Sequence, residues 1–321
     1  MSAQQTEKFE ILNRWTGAVQ VTAKITCAPD ASVSVKLGLA VRWAVKSDAY
    51  LAGANLARAY LADAYLAGAN LADANLAGAN LARANLADAN LAGANLAGAN
   101  LADAYLADAN LAGAYLADAY LAGANLARAN LADAYLAGAN LADAYLAGAN
   151  LARAYLARAY LADAYLAGAN LADAYLAGAN LARAYLADAY LAGANLADAN
   201  LADAYLADAN LAGANLRPIK ADFFMILAMG HHEVSALISA LKDGRVDGST
   251  YSGDCACLVG TLENAGATNI PHEASSPAEL WFSPIRKGVK PGDEGEGGFR
   301  SAKALEWAEE YAARTGILLT A

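Results

Sequence analysis

Leucine recurs at every fifth position from Leu51 to Leu216 without a break, inside a repeating unit Ala-(Asn or Tyr)-Leu-Ala-(Gly, Asp or Arg). Thirty-four such units occupy about half of the 321 residues. No single regular element accepts this spacing. On a helix, five residues turn the side-chain direction by about 500°, a net of about 140°, so the leucines spiral over every face and leave no core side. On a flat strand the period is two, and an odd repeat sends alternate leucines outward. The conflict disappears if the chain turns a corner once per unit. Each Leu then points inward together with the Ala two residues before it, while the residues flanking Leu point out. Four corners close a coil of twenty residues, and stacked coils pair their backbones at about 4.8 Å. The whole block makes about eight and a half coils, a rod of roughly 40 Å. Burying each Leu contributes roughly 1.5–3 kcal/mol before the entropy of ordering the chain is subtracted. Gly in the last slot suits a corner with unusual backbone angles. Asp and Arg in the same slot argue that a left-handed conformation is not required there.

The pattern changes at both ends of the block. Residues 1–48 are expected to form a ββα unit. Phe9 to Asn13 and Ala18 to Ile25 read as strands around the turn Arg14-Trp15-Thr16-Gly17, with Val19, Val21, Ala23 and Ile25 in period two. Ser32 can N-cap a helix running to Lys46 whose apolar side carries Leu37, Ala40, Val41, Ala44 and Val45. This unit is expected to cap the first coil, because a solenoid end exposes unpaired backbone and an open core. At the other end Arg217-Pro218 breaks the phase, and proline stops a β ladder. Residues 217–321 read as a mainly helical domain on the last coil. Its helices are expected over Asp222 to Met229, Glu233 to Leu241, Cys255 to Asn264 and Phe299 to Thr315, the last with Ala302, Leu305, Ala308 and Ala312 apolar. Residues 286–298 read as a mobile loop. The rod itself occupies residues 49–216.

The units Ala-Asn-Leu-Ala-Gly, Ala-Asn-Leu-Ala-Asp and Ala-Asn-Leu-Ala-Arg resemble those of the pentapeptide repeat family. The resemblance implies a mainly β fold, a right-handed quadrilateral parallel β-helix with a central Leu or Phe facing inward. Segments 13–20 and 36–41, and the tail, resemble flanks of uncharacterised bacterial and phage members, to which no activity is attached. This chain departs from the family in one respect. Leu never yields to Phe, and Ala fills the slot after Leu in nearly every unit. Such uniformity fits either recent expansion of one unit or an idealised consensus block, and the two- or three-letter alphabet at each variable slot favours the second.

Net charge is −10. The last slot of the repeats carries fourteen Asp and six Arg, so most of the charge lies on the rod. An acidic rod repels nucleic acid, which argues against direct nucleic-acid binding. Family resemblance suggests the opposite idea, since some members imitate the DNA duplex and occupy the DNA site of gyrase. Duplex DNA would carry roughly two dozen charges over 40 Å, at about one per 1.7 Å. The rod offers about a third of that, interrupted by Arg58, Arg83, Arg128, Arg153, Arg158 and Arg183. Solubility of an Ala-coated surface is the simpler role for these charges.

Positions twenty apart should stack on one face. The slot before Leu then gives one column of Tyr115, Tyr135, Tyr155 and Tyr175, and a second of Tyr145, Tyr165, Tyr185 and Tyr205 on the opposite face. A column of Asn70, Asn90, Asn110, Asn130, Asn150 and Asn170 runs beside them. Stacked Tyr and Asn stabilise coil on coil. The eight tyrosines are also the candidate interaction surface, for a gyrase-like protein partner or for self-association. No catalytic residue, cofactor or metal is expected. Cys255-Ala256-Cys257 with His231, His232 and His272 has no zinc spacing, and no phosphate loop or nucleophile elbow occurs. Three cysteines do not make a disulfide framework, no signal peptide is evident, and no apolar run spans a bilayer. A soluble, cytoplasmic, non-catalytic scaffold protein is the expectation.

Overall fold

The computed structural model describes residues 4–201, 204–206, 209–248, 257–268, 270, 277–282, 285–293 and 296–317. Strands β1 (Gln5–Leu12) and β2 (Val19–Cys27) pair antiparallel, and helix α1 (Val33–Lys46) follows. The repeat block comes next. After it come α2 (Arg217–Met229), a 3-10 turn over His231–Glu233, α3 (Val234–Asp243), α4 (Leu258–Asn264), α5 (Pro277–Phe282) and α6 (Glu296–Thr315).

The repeats form a solenoid of parallel bridges, each joining residues twenty apart, from Asn55↔Asn75 to Asn195↔Asn215. One unit shows how the backbone is satisfied. Ala74 N–H donates to Leu71 O at 3.0 Å and closes a turn; Asn75 N–H donates to Ala54 O at 2.8 Å in the preceding coil. Leu76 and Gly78 donate to Asn95 O at 2.7 Å and Ala97 O at 2.9 Å in the following coil. The fifth donor, Ala77 N–H, goes to the Asn75 side-chain oxygen at 3.2 Å. All five amides of the unit are thus used, as buried or half-buried backbone requires. Inside, the Leu column is buried from end to end and the first-Ala column everywhere but at its two ends, Ala49 and Ala214, which are half-buried.

The turn geometry overturns one expectation. Every described Asp and Arg in the fifth slot has positive φ, between 54° and 60°, like the glycines beside them. The slot is the third residue of a turn closed by the Leu carbonyl, as in Leu56-Ala57-Arg58-Ala59, where Ala59 N–H donates to Leu56 O at 3.1 Å. That position of a type II turn takes positive φ. In most units the residue also donates its own N–H to the next coil, as Arg58 does to Ala77 O at 2.9 Å. Two bonded neighbours therefore fix the conformation, and Asp tolerates it better than most residues.

At the amino-terminal end the hairpin and α1 supply bonds to the first coil. Asn55 N–H donates to Leu12 O at 2.7 Å, Arg14 N–H to Gly53 O at 2.8 Å and Tyr60 N–H to Ser34 O at 3.0 Å. Ser34 Oγ donates to Arg58 O at 2.5 Å, and an Arg42 guanidinium nitrogen to Ala62 O at 2.5 Å. Helix α1 comes this close because Gly38 has no Cβ, which would collide with the Tyr60 carbonyl. Both strands extend beyond their expected outer ends, and the helix starts after the expected Ser32 cap, whose hydroxyl accepts from Val35 N–H at 3.3 Å.

The carboxyl-terminal helices differ from expectation in detail. Helix α2 begins at Arg217 and not at Asp222, because proline in a first turn needs no N–H partner. Helix α4 begins at Leu258, and Cys255 lies outside the described residues. Within 286–298, turns lie at 287–288 and 291–292, and α6 already starts at Glu296. Gly298 there abuts the Asp293 carbonyl, an approach that a side chain would block. The buried face of α6 carries Ala304, Trp307, Ala308, Tyr311 and Ala312, whereas Ala302 and Leu305 are only half-buried. The two bulky aromatics set this rotation by packing on α5 and α2. Trp307 and Trp281 lie 5.4 Å apart, and Tyr311 meets Phe224 edge-on at 5.4 Å. Arg300, fully buried, donates to Leu206 O at 2.8 Å and joins α6 to the last full coil. No single helix among the described residues is long and apolar enough to cross a membrane.

Candidate interaction surface

The backbone bridges bring the second-slot side chains of successive coils together, and the eight expected tyrosines form two ladders. Tyr115, Tyr135, Tyr155 and Tyr175 stack with ring centroids 4.9, 4.8 and 4.8 Å apart and planes within 2° of parallel. Tyr145, Tyr165, Tyr185 and Tyr205 stack at 5.3, 4.9 and 4.7 Å, with planes 13°, 3° and 27° apart. The two columns are ten residues out of phase, half a coil. Each ring remains 39–51% exposed. Spacing inherited from the coil pitch lies within the range for favourable aromatic pairs, about 0.5–1.5 kcal/mol each beyond area burial. The Asn column is linked over part of its length: Asn130, Asn150 and Asn170 each donate through the side-chain amide to the preceding Asn at 3.3 Å.

Sequence reasoning gave Asn only this axial role. Its commoner bond is local, since Asn Oδ1 accepts from the Ala two residues on at 3.0–3.4 Å throughout the rod. The signal was available in the preference of Asn for bonding its own downstream backbone.

A second missed feature lies in the fifth slot. Where an Arg follows an Asp by twenty residues, the guanidinium grips both carboxylate oxygens. Arg83–Asp63, Arg128–Asp108, Arg153–Asp133 and Arg183–Asp163 pair at 2.8, 2.5, 2.7 and 2.6 Å. These bonds hold the carboxyls of Asp63, Asp108, Asp133 and Asp163 below the usual aspartate range. Arg158 has Gly in both adjoining coils of its column and Arg58 has Gly78 in the one that follows it, so neither has such a partner in its column. Reading the slot at twenty-residue offsets reveals all four pairs.

Elsewhere the chemistry-bearing residues are tied into structure. Cys27 is buried, donates to Glu7 Oε1 at 3.3 Å, and has its thiol pushed up by burial, so it is a poor thiolate. Glu7 is held below its ordinary value by Lys36, 2.9 Å away. His231 Nδ1 lies 3.3 Å from the Tyr311 hydroxyl. His272 and Cys255 fall outside the described residues; among those described, no group of three His, Cys, Asp or Glu could hold a metal. A cleft of about 260 Å³ opens between the end of α1 and the first coil, lined by Val45, Asp48, Tyr50, Leu51, Gly68 and Asn70.

Comparison with known protein families recognises the same repeats. Residues 47–83, 84–121, 114–152, 154–186 and 184–217 match the family described as Pentapeptide repeats, in eight copies. Among solved structures, the chain is similar to HetL, a pentapeptide repeat protein involved in heterocyst differentiation regulation from the cyanobacterium Nostoc sp. strain PCC 7120. The two are 31% identical over 50% of this chain and 85% of that one, with a TM-score of 0.27. A pentapeptide repeat protein from the Arabidopsis thaliana thylakoid lumen is 26% identical over 39% of this chain and 69% of its own, with a TM-score of 0.20. QnrB1, a plasmid-mediated fluoroquinolone resistance protein, is 18% identical over 53% and 91%, with a TM-score of 0.27. No curated protein sequence matches. The five-residue period, the twenty-residue bridges and the family match agree on a right-handed β-helical solenoid, and the chain belongs to the pentapeptide repeat family.

Proposed function

We propose that the protein is a non-catalytic structural scaffold. In this reading the coil is four-sided, a quadrilateral rod. Residues 1–48 cap one end, a helical module over 217–321 closes the other, and the tyrosine columns form the face offered to a protein partner. The carrying observation is the uniform use of the interior. Leu and Ala columns fill it and the bridges consume the backbone amides, which leaves the outward columns as the variable feature. The family match indicates no catalytic class. The near-invariant units are consistent with a consensus repeat block on natural flanks. The test is affinity capture with the intact chain beside Y135N/Y155N and a form lacking residues 217–321. A stoichiometric partner lost with the tyrosines supports the reading. A partner lost only with residues 217–321 moves the surface to the helices, and a turnover activity of the purified chain overturns the non-catalytic assignment.

An acidic DNA mimic that engages gyrase is the alternative, favoured by the excess of Asp over Arg along the rod. Four of the carboxylates are gripped by Arg, and the net charge that remains is about a third of the density of duplex DNA. A supercoiling assay with no inhibition at micromolar protein removes this alternative.

A further inference from the structure

The two tyrosine ladders have the same rings at nearly the same spacing, but the charges beside them differ. Along the Tyr145–Tyr205 ladder the adjoining fifth-slot columns read Asp143, Asp163 and Arg183 on one edge, and Gly148, Gly168 and Asp188 on the other. Arg183 is bound to Asp163 at 2.6 Å, so this pair is neutral. Asp143 has Gly123 and Asp163 as column neighbours, and Asp188 has Gly168 and Asp208, so neither meets an arginine in its column. All three carboxylates are exposed, as are the four rings. The Tyr115–Tyr175 ladder runs instead between Gly113, Asp133, Arg153 and Asp173 on one edge and Asp118, Gly138, Arg158 and Gly178 on the other. There Asp118 likewise has only glycines as column neighbours, but Arg158, mid-ladder with glycine above and below, offsets it, so this ladder is the less acidic of the two.

We propose that the Tyr145–Tyr165–Tyr185–Tyr205 ladder is a binding strip for an elongated, planar aromatic cation lying along the rod axis. Stacking already holds the rings, and the bridges Tyr145↔Tyr165 and Tyr165↔Tyr185 hold their backbones, so little side-chain entropy remains to be lost on binding. A ligand touching one ring gains little. One that spans three or four rings displaces water from a continuous strip of ring edges and meets phenol oxygens along its length. Planarity follows from the parallel rings, and length follows from the repeat. Positive charge follows from Asp143 and Asp188 on opposite edges of the strip. An anion of the same shape is repelled here, and Arg158 makes the other ladder the poorer site for a cation. A second copy of this chain is a worse occupant. Four half-exposed tyrosines bury roughly 400 Å² a side, against about 800 Å² per partner in a stable interface. The inference stands on the ladder and its flanking charges and holds with or without a protein partner.

Thioflavin T, a planar benzothiazole cation, titrated into the full-length protein at low ionic strength tests it. Saturable fluorescence enhancement with one dye per chain is expected. The variant Y165N/Y185N should weaken binding by tenfold or more, whereas Y135N/Y155N changes it by less than twofold. Asn already occupies this slot in many units, so both variants keep the repeat, and far-UV circular dichroism checks each fold. D143N and D188N should each weaken binding about three- to fivefold, and a sulfonated anionic analogue should not bind. The proposal is overturned by the absence of saturable binding, by binding that survives Y165N/Y185N, by equal losses in the two tyrosine variants, or by insensitivity to D143N and D188N.

Discussion

At the fifth slot of each unit a single backbone angle decides which residues are allowed. Asp118 has φ of +56° with glycines in both adjoining coils, so its side chain has no ion-pair partner in its column to offset the strain. Asp118→Gly relieves the left-handed strain but loosens the unfolded chain, and these opposing effects should leave stability within about 1 kcal/mol of the parent. Asp118→Val places a β-branched residue at positive φ and should cost about 1–3 kcal/mol. Urea unfolding of the two variants measures the difference; equal stabilities would show that the turn relaxes out of the left-handed region. The restricted alphabet of Gly, Asp and Arg is plain in the sequence, but Asp and Arg there argue against positive φ, and the structure shows the reverse. Propensity alone misleads here, because the axial bond from residues such as Asp63 to Ala82 O, at 2.9 Å, imposes the angle regardless of residue type. Inward Leu and Ala were legible, since a period of five admits only one interior solution.

Columns are the natural element of this fold, and their energies depend on what lies twenty residues away. Tyr155 stacks on Tyr135 and Tyr175, whereas Tyr160 is bridged to Asn140 and Asn180. Tyr155→Asn should therefore cost about 1–2 kcal/mol, the loss of two ring pairs, while Tyr160→Asn should lie within about 0.5 kcal/mol of neutral. Chemical denaturation checks both; equal costs would mean that the ladder adds nothing beyond each ring's own burial. The four Asp–Arg pairs add a pH signature. Each carboxyl is held below its ordinary value by its arginine, so the contribution is fully present above about pH 5. It is lost as pH falls below about 3.9 and through the lowered folded values. The parent should melt a few degrees above R83Q/R128Q/R153Q/R183Q at neutral pH and low salt, with the gap closing toward pH 2.5 and at high salt. A gap that persists in acid would assign it to arginine packing. Element boundaries were less legible than columns. Helix α1 was readable from its Ser32 cap, but α2 hides its first turn behind Pro218, and α6 turns its aromatic side inward. The tyrosine columns could be read directly, while the charge partners needed the same offset applied to a different slot.

For the whole molecule, a quasi-one-dimensional array transmits a perturbation only to its neighbours. Arg300 offers a way to test this, because α6 uses it to reach the last full coil. It donates to Leu206 O at 2.8 Å and to Trp281 O at 3.4 Å, and its guanidinium lies 5.0 Å from the Trp281 ring. Arg300→Leu keeps apolar volume but leaves the Leu206 carbonyl without this donor, at a cost of about 2–4 kcal/mol. The loss should stay local. Hydrogen exchange is expected to accelerate in α5, α6 and the coil around Leu206, while amides near α1, such as Tyr60 bonded to Ser34 O, keep their protection. Global acceleration would mean that the helical end and the rod unfold as one cooperative body. Local acceleration would mean that the rod stands on its own ladder of bonds, with the helices as a separable fitting at its end. The same locality lets single columns of the rod differ in charge without disturbing the coils beneath them. The two tyrosine ladders, alike in rings and unlike in flanks, can therefore be altered one at a time.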